Sequence, residues 1–353
     1  MYEHMTYEVI LQRMLSRVSN KLDKREGSII YDALAPAAVE LQLMYIEFDT
    51  IINETFGDTA SRENLIRRAK ERGLTPKPKT HAVLKGEFKP DTLELAVGSR
   101  FSLNELNYSI KAKVSHGVYQ LECETAGVVG NKYFGDLIPV DYIDGLQTAQ
   151  LTELLIPGTD EEDTEDFRTR YFASFDTQAF GGNQADYLDK TNKIAGVGST
   201  KITPVWNGGG TVKLTILNSN FDKASSTLIQ KVQDEIDPVQ DGEGIGTAPI
   251  GHIVTVDTAE EVTVDVASTI TYDTGYSFEA LQSQIKQAIN DYLFELRTDW
   301  ANQNELIVRI SQIESRLLGI TGIIDVTGTT INGSANNLTT TKYQIPVIGG
   351  VIA

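Results

Sequence analysis

Pro157-Gly158-Thr159-Asp160-Glu161-Glu162-Asp163-Thr164-Glu165-Asp166-Phe167-Arg168-Thr169-Arg170 is where the chain changes character. Pro157-Gly158 closes a region of alternating, strand-like sequence. Thr159-Asp160-Glu161-Glu162 then has the spacing of a capping box, with acidic side chains where a helix N-terminus attracts negative charge. Phe167, Tyr171, Phe172 and Phe175 supply the buried face expected of the helix that follows. Strands on one side of this stretch and helices on the other predict an α+β multidomain protein.

Upstream, residues 80–157 read as a small β domain. Val83–Phe88, Tyr108–Ala112 and Val118–Cys123 alternate like short strands, with turn signals at Pro90-Asp91, Asn104–Asn107 and Gly130-Asn131. Residues 1–79 read as helical. Tyr7, Ile10, Leu11, Met14, Leu15 and Val18 recur at three-and-four spacing, one apolar stripe. After a polar break at Lys21–Gly27, a longer stripe carries Leu34, Leu41, Met44, Tyr45 and Phe48. A third helix is expected from Ser61 to Arg72, stopped by Gly73 and the prolines beyond. Three amphipathic helices in so short a region make a thin core. These eleven stripe residues are therefore the candidate subunit-interface residues, and the region 1–79 is expected to drive oligomerisation.

Downstream, residues 158–258 and 259–353 read as two α/β modules. Ile194-Ala195-Gly196-Val197 and Leu317-Leu318-Gly319-Ile320 each end a helix at glycine and start a strand, so a similar helix–strand order is expected in both. Asn207-Gly208-Gly209-Gly210 joins two strands and reads as a hairpin turn, since no phosphate-loop Lys-Ser/Thr follows. The apolar tail Ile345–Ile352 suits either the last strand of its own domain or a strand offered to a neighbour.

The charge is -18, with 49 acidic and 31 basic residues. Such a chain repels phosphate backbones and anionic lipids, which argues against nucleic-acid and membrane partners. No run approaches the roughly 18 consecutive apolar residues of a membrane helix. The N-terminal residues also lack the pattern of a secretion signal, so a cytoplasmic, unprocessed chain is expected. Cys123 is the single cysteine. His4, His81, His116 and His252 fall in different regions, none with a second ligand at metal spacing, so no metal or cofactor is expected. The acidic run 160–166 lacks a calcium-loop pattern and suits capping better. Ser199 lacks the glycine of a nucleophile elbow. Trp206 and Trp300 suit a core as well as a sugar platform. No catalytic constellation emerges, and neither an enzyme nor a small-molecule substrate is expected.

The order of segments resembles the baseplate J-like family of phage wedge proteins, which recurs in tailocins. Three stretches carry the likeness. The first is Asp23-Lys24-Arg25-Glu26-Gly27-Ser28 before the long helix, with Arg72-Gly73-Leu74 after it. The second is Ala126-Gly127-Val128-Val129-Gly130-Asn131, then Gly158 to Asp163 and Arg168-Thr169-Arg170. The third is Ala195-Gly196-Val197, Ala248-Pro249-Ile250-Gly251-His252, Gly319-Ile320 and Ile331-Asn332-Gly333. The family often has an arginine where Thr75-Pro76-Lys77-Pro78 stands here, and no family motif matches residue by residue across the β domain. The resemblance implies a structural subunit of a contractile-tail baseplate wedge. Such a subunit would pair with a copy of itself and with other wedge, hub or sheath-proximal proteins through its N-terminal helices. It would repack to trigger sheath contraction, within a phage or tailocin particle assembled in the bacterial cytoplasm. The competing expectation is a secreted or cell-surface adhesion protein built from similar serial modules.

Overall fold

The computed structural model describes residues 2–176 and 181–352. The chain divides into two compact units, Met1–Lys77 with Glu162–Thr177, and Pro78–Glu161 with Gln178–Ala353.

The first unit is helical. Helix α1 spans Tyr7–Ser16 and α2 spans Ile29–Thr55, capped by the hydroxyls of Thr6 and Ser28 respectively. Helix α3 spans Arg62–Lys70, and α4, Thr164–Asp176, joins it from far along the chain. The boundary expected at 158 placed α4 with the first α/β module. Its buried residues Phe167 and Tyr171 instead form a small core with Ala60, Leu65 and Ala69. Arginines complete the attachment. Arg168 donates to the carbonyl oxygens of Gly57 and Ala60, and Arg72 to that of Ser174. Gly57 is needed because a Cβ there would stand 2.6 Å from the Tyr171 ring.

The capping box expected at Thr159–Glu162 does not form, because α4 begins at Thr164 and Asp163 caps it. The Asp163 carboxylate accepts the N–H groups of Glu165 and Asp166. Helix α2 also departs from one expectation. It lacks a long unbroken apolar run, yet by length and composition alone it is long and apolar enough to cross a membrane.

The second unit begins with a seven-stranded sheet. Its strands are β1 (Val83–Lys89), β2 (Arg100–Leu103), β3 (Leu106–Ser115), β4 (Val118–Cys123), β5 (Gly135–Asp136), β6 (Ile138–Pro139) and β7 (Thr148–Ile156). They lie in the order β5-β7-β1-β4-β3-β2-β6, every neighbouring pair antiparallel. Alternate residues such as Leu84, Phe88, Tyr108, Ile110, Tyr119 and Leu121 point into one core, as the period of two demands.

Next comes α5 (Gln184–Asn192), β8 (Val197–Pro204), β9 (Thr211–Asn218), α6 (Ser226–Ile236) and β10 (Ile253–Thr258). Strands β8 and β9 are antiparallel across Asn207–Gly210, and β10 returns parallel to β9 after α6. The last part holds β11 (Glu260–Tyr272), α7 (Phe278–Thr298), β12 (Ile307–Val308) and α8 (Ile310–Leu318). Strands β13 (Ile323–Ile331), β14 (Leu338–Thr339) and β15 (Gln344–Ile352) complete it. Its sheet runs β13-β11-β15, with β13 antiparallel and β15 parallel to β11. Both parts thus hold a mixed three-stranded sheet, but the central strand comes second in the first and first in the second. Their helix–strand orders differ to that extent. The apolar tail is the last strand of its own domain, and Ile345 is fully buried.

The two α/β parts share a core. Leu217 from β9, Ala259, Trp300, Leu306 and Ile345 pack together, so neither part closes without the other. Two cations are sealed there. The Lys201 ammonium donates to the carbonyls of Gln303 and Lys342 at 2.7 Å each and lies 4.3 Å from the Trp300 ring centre. The Arg297 guanidinium donates to the Pro346 carbonyl at 3.0 Å and meets Asp222 at 3.3 Å. Burial, with Lys342 adding repulsion, pulls the Lys201 amine down to about 8. The unfolded chain therefore binds more protons than the folded one between about 8 and the ordinary value near 10.4, and stability rises with pH across that window. Relative to Lys201→Met, the wild type should gain on the order of 2 kcal/mol between about pH 7 and 9.5 in urea unfolding.

Candidate functional site

The N-terminal hairpin contains both a closed face and an open one. Helix α1, ten residues long, is about 15 Å; α2, with 27, is about 40 Å. A short helix on a long one covers part of one face. Ile10, Leu11, Leu15 and Ala38 are buried between them, with Tyr7, Met14, Leu34, Leu41 and Tyr45 partly buried at the edges. Val18 lies just beyond α1 and is half-buried. Most of the candidate interface residues are thus brought together inside the hairpin. This corrects the expectation for Leu11, 4% exposed, and for Ile10 and Leu15: their stripe is satisfied by this chain's own α2.

Met44 and Phe48 remain open, 51% and 43% exposed. Phe48 shares its edge with Tyr2 and Tyr45, ring centres 6.4 and 6.3 Å away. Val39, Leu43, Ile46 and Ile51 of the same helix are also exposed. Of the whole of α2, Ala38 alone is buried. Spacing had pointed to the stripe that faces α1. Of the outward face that spacing includes only Met44 and Phe48, because α2 is apolar on several sides and a single periodicity picks out one of them. The usable signal was the mismatch in helix length.

The motif stretches come together as backbone staples. The Asn131 side chain takes the Gly158 N–H at 2.8 Å and gives its own N–H to the Gly158 carbonyl at 2.9 Å. Asp160 accepts the Val128 N–H at 3.0 Å. A Cβ on Gly158 would stand within 2.7–2.9 Å of three backbone atoms, so the residue must stay bare. Glu162 accepts the Lys77 N–H and two bonds from Arg170, which also reaches the Thr75 carbonyl. Burial opposes its ionisation, but Arg170 and the Lys77 N–H outweigh it and hold the carboxyl below its usual range. Asn332, at φ 51°, uses its side chain to bond Thr263 and Asp265. In this chain these residues fix loops.

The remaining candidates have structural partners. His252 stacks on Tyr187 with a 2.7 Å hydrogen bond to its hydroxyl, and His81 bonds the Cys123 carbonyl at 2.8 Å. Burial, with Asp237 and Asp186 nearby, pushes Tyr187 up to about 12. The cavity beside this pair is about 150 Å³, below the roughly 300 Å³ at which ligand pockets begin. Ser199 is buried in β8, Trp300 belongs to the shared core, and Trp206 lies beyond β8 at the hairpin. Among the described residues, no group of three or more His, Cys, Asp and Glu could hold a metal ion.

Two substitutions separate the faces of the hairpin. Leu11→Ala should destabilise the N-terminal unit by about 2–5 kcal/mol in denaturant unfolding. Met44→Ala should stay within about 0.5 kcal/mol of wild type. For the staples, Arg170→Met strands the Glu162 carboxylate and should cost about 1–3 kcal/mol by the same measurement.

Comparison with known proteins places this architecture. Residues 179–258 match the baseplate J-like central domain, and residues 264–353 the C-terminal domain of baseplate J-like proteins. The two α/β parts therefore answer to two different domain types. The Uncharacterized protein YqbT of Bacillus subtilis (strain 168) is 40% identical, over 99% of this chain and 98% of its own. The phage-like element PBSX protein XkdT of the same organism is 38% identical over the same shares. The Putative protein JayE of Escherichia coli (strain K12) is 27% identical over 48% of this chain and 69% of its own. A chain of the anti-feeding prophage baseplate, solved by cryo-EM, aligns over 97% of this chain and 90% of its own, with 8% identity. Its TM-score of 0.42 is too low to bear on fold or function. The chain belongs to the baseplate J-like family, the structural proteins of phage-tail baseplates.

Proposed function

We propose that this protein is a wedge subunit of a contractile-tail baseplate, built into the particle through its N-terminal unit. The observation that carries the reading is the uncovered apolar face of α2 that bears Leu43, Met44 and Ile51. A row of large apolar side chains on a monomer marks an interaction surface. At about 25 cal/mol per Å² of apolar area, covering it would stabilise an assembly appreciably. The likeness to XkdT, a protein of a phage-like element, supports the same setting. In this reading the interface of α2 holds the baseplate in one arrangement. It repacks when the sheath contracts, as packed interfaces with two discrete arrangements allow. The interlocked α/β parts would carry that movement as one body. Assembly takes place in the bacterial cytoplasm.

A second reading rests on α2 meeting the length and composition of a membrane helix. Asp32, Glu40, Glu47 and Asp49 lie along it, and a carboxylate at a bilayer centre costs about 2.5–3.5 kcal/mol on insertion scales. Docking to protein is the better account.

Leu43→Asp with Met44→Asp puts two charges on the open face and none in the hairpin core. The variant should fold like wild type but fail to complement loss of the gene, leaving particles without assembled baseplates by electron microscopy. Normal particles would remove the docking role from α2. Leu41→Asp is the poorer test, since Leu41 packs against the hairpin core.

A further inference from the structure

The chain contains two Asn-Gly pairs, Asn207-Gly208 between β8 and β9 and Asn332-Gly333 after β13. In any such pair the side-chain amide carbon can close a five-membered ring onto the next main-chain nitrogen, and glycine leaves that nitrogen unshielded by a side chain. Whether the ring closes depends on how tightly the asparagine is held. The fold treats the two pairs in opposite ways.

Asn332 is tied down. Its side-chain N–H donates to the Thr263 carbonyl at 2.9 Å, and its amide oxygen accepts the Asp265 N–H at 2.8 Å. Its own main-chain N–H donates to the Asp265 carbonyl at 2.8 Å. Ile331 and Ser334 exchange main-chain hydrogen bonds of 2.9 Å, so Asn332 at φ 51° and Gly333 at φ 74° fill a two-residue hairpin turn. Ring closure there requires both side-chain bonds to β11 to break first.

Asn207 is held through its main chain. The Thr211 hydroxyl accepts its N–H at 3.0 Å and donates to the Gly208 carbonyl at 2.7 Å. Among the described residues the Asn207 side chain has no hydrogen-bond partner. All four residues from Asn207 to Gly210 are exposed. Beyond its chain neighbours, nothing stands within 4 Å of where a Cβ would lie on Gly208, at φ 96°, or on Gly209. The side chain has room to turn back on the main chain, and water has access to it.

We propose that Asn207-Gly208 is a site of spontaneous covalent modification, and that the fold protects the same pair at Asn332-Gly333. The Gly208 nitrogen gives its proton to solvent base and bonds to Asn207 Cγ. The Cγ–Nδ2 bond breaks, and Nδ2 takes up a proton and leaves as ammonia. The product is a cyclic imide, formed with no net oxidation or reduction. Water then adds at either imide carbonyl and opens the ring to aspartate or isoaspartate. Both products place a carboxylate next to Trp206, itself 43% exposed, and isoaspartate also adds one carbon to the main chain. The change stays at the tip, because the Val205 N–H donates to the Thr211 carbonyl at 2.7 Å and closes the hairpin beneath it.

The test is incubation of the purified full chain at mildly alkaline pH, with tryptic peptide mapping by mass spectrometry at intervals. The peptide Ile202–Lys213 should gain the mass difference between a hydroxyl and an amino group and split into aspartate and isoaspartate forms. The peptide holding Asn332 should convert at least about tenfold more slowly, because two side-chain bonds must open first. In concentrated urea the two rates should approach each other, since unfolding frees both amides. Asn207→Gln should remove the modification without moving the urea midpoint, because glutamine must close a larger and slower ring. Three results would overturn the inference: an unmodified Asn207 in the folded chain over the time the unfolded chain converts, equal conversion of Asn332 and Asn207 in the folded chain, or a rate ratio that urea leaves unchanged.

Discussion

A helix of about 40 Å cannot be covered by one of about 15 Å, and the functional reading of this protein depends on that inequality. The contact that α1 does make is well packed: Ile10, Leu11 and Leu15 close over Ala38. Much of α2 beyond their reach is exposed, Leu43, Met44 and Ile51 among it. Leaving Leu43, Met44 and Ile51 in water is unfavourable for an isolated chain and natural for a part of an assembly. Glu40 and Glu47 add two exposed carboxylates to the same helix.

The second unit is organised to opposite effect. Its two α/β parts bury Leu217, Trp300 and Ile345 in common, and they seal Lys201 and Arg297 between them. A buried cation without its acceptors carries a large desolvation cost, so separating the parts would have to release water-starved charges as well as apolar surface. That is a poor place for a hinge. The loops around Asn131, Gly158, Glu162 and Asn332 are likewise pinned by side chains bonding to backbone. A structural protein benefits from such fixed geometry, and residues that looked like motifs turn out to supply it.

Local features were legible in the sequence because their causes are local. Ser28 caps α2, Gly319 ends α8, and Asn207–Gly210 turns a hairpin, each for reasons confined to a few residues. The strands of the β domain were legible for the same reason, since alternation along one strand reports one buried face. Thr159–Glu162 shows the limit. Its spacing satisfies a capping box, but Thr159 pairs with Thr80 and Glu162 with Lys77 and Arg170, partners remote in the chain. Long-range partners outcompeted the local ones.

Element types and, through segment order, the family were legible in the sequence alone. Those properties follow from periodicity, residue chemistry and chain order, which do not depend on how distant segments meet. Only the tertiary structure decided that α4 belongs with the N-terminal helices, that the two α/β parts share one core, and that the stripe containing Leu11 is internal. It also decided that the free face of α2 is the one bearing Glu40 and Glu47. A helix presents every azimuth in its sequence, and which one stays open is fixed by what packs against the others.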